Sequence, residues 1–150
     1  MPIAPEHRWL YPIDWPELSR LVRFRRAQGH CQHCRRPHGR TVLHLGDGRW
    51  WDEEAGVWRS GQGRALRRLP PPRALRQAEP ALRGIPAPLP YRSTRVVLAS
   101  AHLNHDPADN RMRNLAALCQ RCHMLHDAAH HRRQRWWNAY RRRALRDLFG

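Results

Sequence analysis

Apolar residues along the chain change period several times, and each change predicts an element. Leu18, Leu21 and Val22 recur at helical spacing while Arg20, Arg23, Arg25 and Arg26 fill the other faces. Asp14 stands where it can cap free backbone N–H groups, Pro16 and Glu17 suit a first turn, and Gly29 suits an end, so a helix is predicted from about residue 15. Short strand-like runs at 41–45, 49–51 and 57–58, separated by turn chemistry such as Gly46-Asp47-Gly48, predict a hairpin or meander. From about 61 to 91 the pattern dissolves into arginine, alanine and proline. The span 44–92 holds seven of the 13 prolines and six of the nine glycines, and is expected to be an insertion, largely irregular, with little core of its own. Residues 94–100, with β-branched Thr94, Val96 and Val97, predict a buried strand, and 104–114 has no period and predicts a loop. Residues 115 to about 133 are expected to be helical. A second helix is expected from about 134 to 148, with Trp137, Tyr140, Ala144 and Leu148 on one stripe.

A chain of 150 residues suits one domain with a modest core. Its formal net charge is +16, and all 28 basic residues are arginine. Such a surface repels itself and seeks a polyanion, with nucleic acid the leading candidate. An acidic membrane is the other, but the arginines are spread along the whole chain. A GC-rich coding sequence would explain arginine in place of lysine, but not the excess of base over acid. No stretch approaches the ~18–20 apolar residues of a membrane span, and residues 1–6 lack the charged-then-apolar pattern of a signal peptide. A cytoplasmic setting is therefore expected, where thiols stay reduced. There, Cys31/Cys34 and Cys119/Cys122 form two C-x-x-C pairs able to close a tetrahedral, structural zinc site. The 84 residues between the pairs exceed the ~15–20 of a simple zinc ribbon, but closure entropy grows only logarithmically with loop length. Redox-active dithiols, or cysteines that merely pack, are the alternatives. His33 and His123 adjoin the cysteines and are possible substitute ligands.

The stretch from Ala101-His102-Leu103-Asn104-His105-Asp106-Pro107 to Asp127 carries the pattern H-x11-N-L-x2-L-C-x2-C-H-x3-D. Together with the first cysteine pair it resembles the HNH (ββα-metal, His-Me finger) endonucleases, in the subgroup braced by two C-x-x-C knuckles. The resemblance covers about 15–43 and 94–129. It implies an α+β fold in a single domain, 1–150. Its parts are a small zinc-stabilised ββα-metal core, an N-terminal helix, a Pro/Arg-rich insertion at about 44–92 and a basic helical tail at about 130–150. The implied activity is metal-dependent hydrolysis of DNA phosphodiesters to 5′-phosphate and 3′-hydroxyl. The general base falls at His102, and imidazole suits deprotonation of water near neutral pH. The loop-holding amide falls at Asn114, and the metal-binding histidine at His123. Asp127 lies one helical turn later on the same face, so the pair is expected to hold Mg²⁺, Mn²⁺, Ni²⁺ or Zn²⁺. The position before the base carries Asp or His in that family, and here it is Ala101. Asn104, His105, Asp106 or water must then supply the missing ligand. Failing that, the chain is a non-catalytic, zinc-stabilised nucleic-acid-binding module.

Arg121, with Arg132, Arg133, Arg135, Arg141, Arg142 and Arg143 of the tail, is expected on backbone phosphates of DNA or RNA. A monomer would nick and a homodimer would cut both strands. The arginine-rich insertion could instead dock a partner protein. His44, His126, His130 and His131 are expected to be solvated surface. Trp136 and Trp137 are expected to pack the tail helix on the core, with stacking on bases the alternative.

Overall fold

The computed structural model describes residues 5–78 and 90–149. The part of the expected insertion at 79–89 and the residues read for a signal peptide at 1–4 lie outside the described residues. After a 3₁₀ turn, Pro5–Leu10, helix α1 spans Trp15–Arg20 and continues as a π-helical turn, Leu21–Arg26. The Asp14 side chain makes no cap bond. Its backbone carbonyl instead accepts the N–H groups of Glu17 and Leu18, each at 3.0 Å. Val22 is the buried residue of this helix, packed with Ala27, Leu115 and Ala117. Gly29 has φ 70°, and its N–H returns to the Arg23 carbonyl at 2.9 Å, which turns the chain into the first knuckle.

Five strands follow in one antiparallel sheet: β1 (Thr41–His44), β2 (Trp50–Asp52), β3 (Val57–Arg59), β4 (Ala65–Leu66) and β5 (Arg92–Arg95), in the order β4-β3-β2-β1-β5. The hairpin or meander expected over 41–60 is present as β1–β3, whereas the expectation of an irregular, coreless insertion fails over its described part. The insertion supplies three of these strands and a short helix, α2 (Pro72–Ala78). The physical reason is its indoles. Trp50 and Trp58 are fully buried, and their ring N–H groups donate to the carbonyls of Cys34 (3.0 Å) and Pro70 (2.7 Å). Across β2 and β3, Arg59 pairs with Asp52 at 2.6 Å.

The strand expected at 94–100 is divided. β5 ends at Arg95 on the five-stranded sheet, and β6 (Leu98–His102) begins a separate two-stranded ladder. Val96 lies between them, buried, its N–H on the Arg40 carbonyl at 2.8 Å. The partner of β6 is β7 (Leu115–Cys119), antiparallel, with Leu98 opposite Cys119 and His102 opposite Leu115. Residues 115–119 were expected to be helical. Leu and Ala do favour helix, but the ladder to β6 overrides that weak local preference. Helix α3 starts at Gln120 and runs unbroken to Phe149, one helix where two were expected. Between residues 131 and 143 every side chain except Ala139 is exposed, and Trp136 and Trp137 keep 60% and 44% of their surface. They do not pack on the core, because by that turn the helix has left it. Among the described residues no helix is long and apolar enough to cross a membrane. The result is a small α+β protein whose main core gathers the four cysteines with Val42, Trp50, Leu98 and Leu118.

Candidate metal centre and histidine cleft

Cys31 and Cys34 come from the turn after the first helix, Cys119 from the end of β7 and Cys122 from the first turn of α3. All four are buried and unbridged. Their sulfurs lie within 4.8 Å of one another, with Cys34 and Cys119 3.6 Å apart. Four thiolates around a tetrahedral ion at ~2.3 Å have edges of about 3.8 Å, so the donor set fits such an ion and is consistent with structural zinc. The two pairs thus converge as their spacing predicts. Gln32, inside the first pair, fastens it to β7: its N–H donates to the Ala117 carbonyl (2.9 Å) and its side-chain oxygen accepts the Ala117 N–H (2.8 Å). Bonding from Cys122 holds the Cys119 thiol at about 7, and bonding from Cys119 holds Cys31 below the usual thiol range. Bonding to Cys119 pushes Cys34 and Cys122 up. A divalent cation would resolve this conflict by favouring the thiolate at all four positions. Of the two flanking histidines, His33 places Nδ1 3.5 Å from the Cys122 sulfur, while His123 faces a cleft.

β6 ends at His102, and the loop 103–114 returns to β7. Buried Asn114 pins that loop. Its Oδ1 accepts the Asn104 N–H at 3.1 Å, and its Nδ2 donates to Asn104 Oδ1 and to the Asp109 carbonyl, both at 2.8 Å. Asn104 is consumed by these bonds, and Asp106 caps the Ala108 N–H at 2.9 Å. Of the three candidates for the missing ligand, only His105 lines the cleft. Its left-handed backbone (φ 61°) brings Nδ1 to 3.3 Å from Asp127 Oδ1. Ala101 itself is buried in the core.

The His102 ring stacks on Trp15 (centroids 5.3 Å apart, planes 12°) and meets Tyr11 edge-on, and its Nε2 lies 3.0 Å from Asn110 Oδ1. The Asn110 amide nitrogen faces the carbonyls of Pro107 (3.1 Å), Ala108 (3.3 Å) and Leu10 (3.4 Å), which fixes the amide with its oxygen toward the imidazole. By this network Nε2 of His102 carries the proton, and Nδ1 keeps a lone pair. No sequence signal singled out Asn110.

His102, His105, His123 and Asp127 line one cleft of about 380 Å³. Asp127 is only 8% exposed. Its Oδ1 faces His105, and its Oδ2 faces His123 Nε2 at 3.2 Å, one helical turn away. His126 and His130, expected as solvated surface, both stack on His105, with centroids 4.5 and 4.7 Å away. His126 also bonds the His102 carbonyl through Nε2 at 3.3 Å. One atom each of His105, His126 and Asp127 lie within 4.8 Å of one another, a set able to hold a metal ion. Burial holds His123 and His105 below the usual imidazole range. In His105 the neighbouring His126 and His130 add to the effect and Asp127 opposes it. Neutral imidazole is the form that ligates.

His131 borders the same cleft, whereas His44 bonds Thr94 Oγ1 at 2.9 Å across β1 and β5. Arg121 does not line the cleft. Its guanidinium lies against Gly48 and Gly61 and donates to the Asp47 carbonyl at 3.5 Å, tying α3 to the turns of the insertion. The tail arginines Arg132, Arg133, Arg135, Arg141, Arg142 and Arg143 are all exposed along α3. No protein-family model matches this chain, and neither the curated proteins nor the solved structures hold a match to it.

Proposed function

We propose that the chain is a metal-dependent DNA endonuclease of the HNH kind, with a four-thiolate structural zinc. One observation carries this reading: a strand-end imidazole, His102, and a helical imidazole–carboxylate pair, His123 and Asp127, border the same cleft in a strand–loop–strand–helix unit. His102 Nδ1 accepts a proton from water, whose oxygen bonds to phosphorus as the bond to the 3′ oxygen breaks. With a proton taken up from solvent by the departing 3′ oxygen, that yields a 5′-phosphate and a 3′-hydroxyl. His123 and Asp127 would hold a divalent ion, which supplies charge stabilisation at the scissile phosphate and the leaving oxygen. Asn114 keeps the loop in register, and Trp15 with Asn110 keeps the base oriented. The exposed arginines of α3 offer phosphate contacts without base readout. The stacked, exposed pair Trp136 and Tyr140 (centroids 5.7 Å apart, planes 14°) offers faces for unpaired bases.

The purified protein should nick supercoiled plasmid with Mg²⁺ or Mn²⁺. His102→Ala should slow nicking by about 10²–10⁴-fold with an unchanged circular dichroism spectrum. Cleavage undiminished by that change removes His102 from the mechanism. Ala101 favours a second reading, a zinc-stabilised binding module without catalysis, which predicts salt-sensitive binding and no cleavage with any divalent ion.

A further inference from the structure

The two oxygens of Asp127 serve different partners. Oδ2 faces His123, the pair assigned above to the catalytic ion. Oδ1 faces away from it, toward His105 at 3.3 Å, with His126 stacked beside. We infer that Asp127 bridges two cation positions, the second built from Asp127 Oδ1, His105 and His126 and suited to a first-row transition-metal ion.

Three observations support this second position. One ligand atom from each of the three residues lies within 4.8 Å of the other two, close enough for one ion. The Nε2 of His126 faces the His102 carbonyl, an acceptor only, so Nε2 holds the proton and Nδ1 keeps its lone pair. Fixing one ring N–H on a carbonyl so that the other nitrogen can ligate is how metal-binding imidazoles are commonly oriented. The company of Asp127 is also unusual in this chain. Among the described residues Asp47, Asp52 and Asp109 each pair with an arginine. Asp127, buried in a chain of net charge +16, pairs only with imidazoles, groups that give up a proton to accept a metal.

Two nitrogens and one oxygen favour Mn²⁺, Co²⁺, Ni²⁺ or Zn²⁺ over Ca²⁺. A carboxylate shared between ions ~3.5–4 Å apart is the arrangement of two-metal phosphodiester chemistry. The second position would thus restore, from the loop and the helix, the charge that Ala101 cannot supply from the strand. The position stands on its own geometry; its bridging role rests on the nuclease reading of His123 and Asp127.

The test is a calorimetric titration of the full chain with Mn²⁺ in the absence of DNA, with the thiolate site loaded with zinc. Mn²⁺ is a weak competitor for thiolates, and elemental analysis before and after checks that zinc stays. The wild type should take two Mn²⁺ per chain and show a magnetically coupled pair by electron paramagnetic resonance. His126→Gln, which keeps the bond to the His102 carbonyl, and His105→Gln should each weaken one of the two sites by about 10–100-fold. Circular dichroism identifies a variant that does not fold, and the other variant then decides. One Mn²⁺ in the wild type, or two retained unchanged in a folded variant, overturns the proposal. A chain that binds two ions but cuts no DNA sinks the nuclease reading and leaves the second position standing. A chain that nicks while binding one ion does the reverse.

Discussion

Asn110 governs which nitrogen of His102 keeps a lone pair. With the amide held by three carbonyls, the imidazole has one tautomer and one free lone pair. Asn110→Ala should slow nicking by about 10–100-fold. Asn110→Asp should move the acid limb of the pH–rate profile upward, because a carboxylate favours the imidazolium. A merely structural asparagine would leave that limb in place. The motif residues were picked out by their pattern rather than by foreseen elements, since residues 115–119 read as helix. It is β6 and α3 that bring His102, His123 and Asp127 to one cleft. Asn110, His126 and His130 were not picked out, because their roles arise from the irregular path of the loop 103–114, for which sequence spacing carries no geometry. A second consequence at this scale concerns pH. Burial, as the leading cause, lowers His38, His44, His105 and His123. The first two also accept backbone N–H groups on Nδ1, from Leu98 (3.0 Å) and Gly46 (3.2 Å). The unfolded chain takes these protons near the ordinary value of ~6.5 while the fold resists them, so acid favours unfolding. The thermal midpoint should be level above about pH 7 and fall as pH drops through ~6.5 and below, measured with zinc in excess.

At the scale of elements, the sheet formed by the insertion is part of the knuckle's housing. Trp50 closes over the first cysteine pair, and Gly63 (φ 82°) brings the β3–β4 turn so near that an added Cβ would lie 3.1 Å from the Cys34 carbonyl oxygen. Trp50→Ala should cost about 3–5 kcal/mol in denaturant unfolding and speed zinc loss to a chromogenic chelator. Trp50→Phe, which loses the indole bond but most of the packing remains, should cost about 1 kcal/mol through that bond. Turn chemistry made the β1–β3 meander legible, whereas glycine and proline content concealed β4, since short strands joined by tight turns share their composition with irregular chain. The same limit applies to β7. Leu115, Ala116, Ala117 and Leu118 read locally as helix, and only pairing with β6 makes them strand. Both halves of α3 were legible as helix, and only the break expected at 133/134 is absent, because no glycine or proline interrupts the backbone there.

For the molecule as a whole, the charge was legible and its placement was not. Arginine crowds the exposed half of α3, whereas Arg121, counted with it from the sequence, is occupied by the insertion. Replacing Arg132, Arg133 and Arg135 together by Gln should flatten the slope of log affinity against log salt by up to about 3 on duplex DNA. Trp136→Ala should weaken single-strand binding by about 1–3 kcal/mol and change duplex binding little, both read by fluorescence anisotropy. The separation of the cysteine pairs also sets an order of events at birth. Cys34 and Cys119 meet across 85 positions. At ~5–20 residues per second, roughly 4–17 s pass between their emergence from the ribosome. Throughout that interval the nascent chain holds half a claw: two thiols with no partners, open to oxidants. The meander β1–β4, built from neighbouring segments, can close meanwhile. The metal site can be sealed only by the last third of the chain.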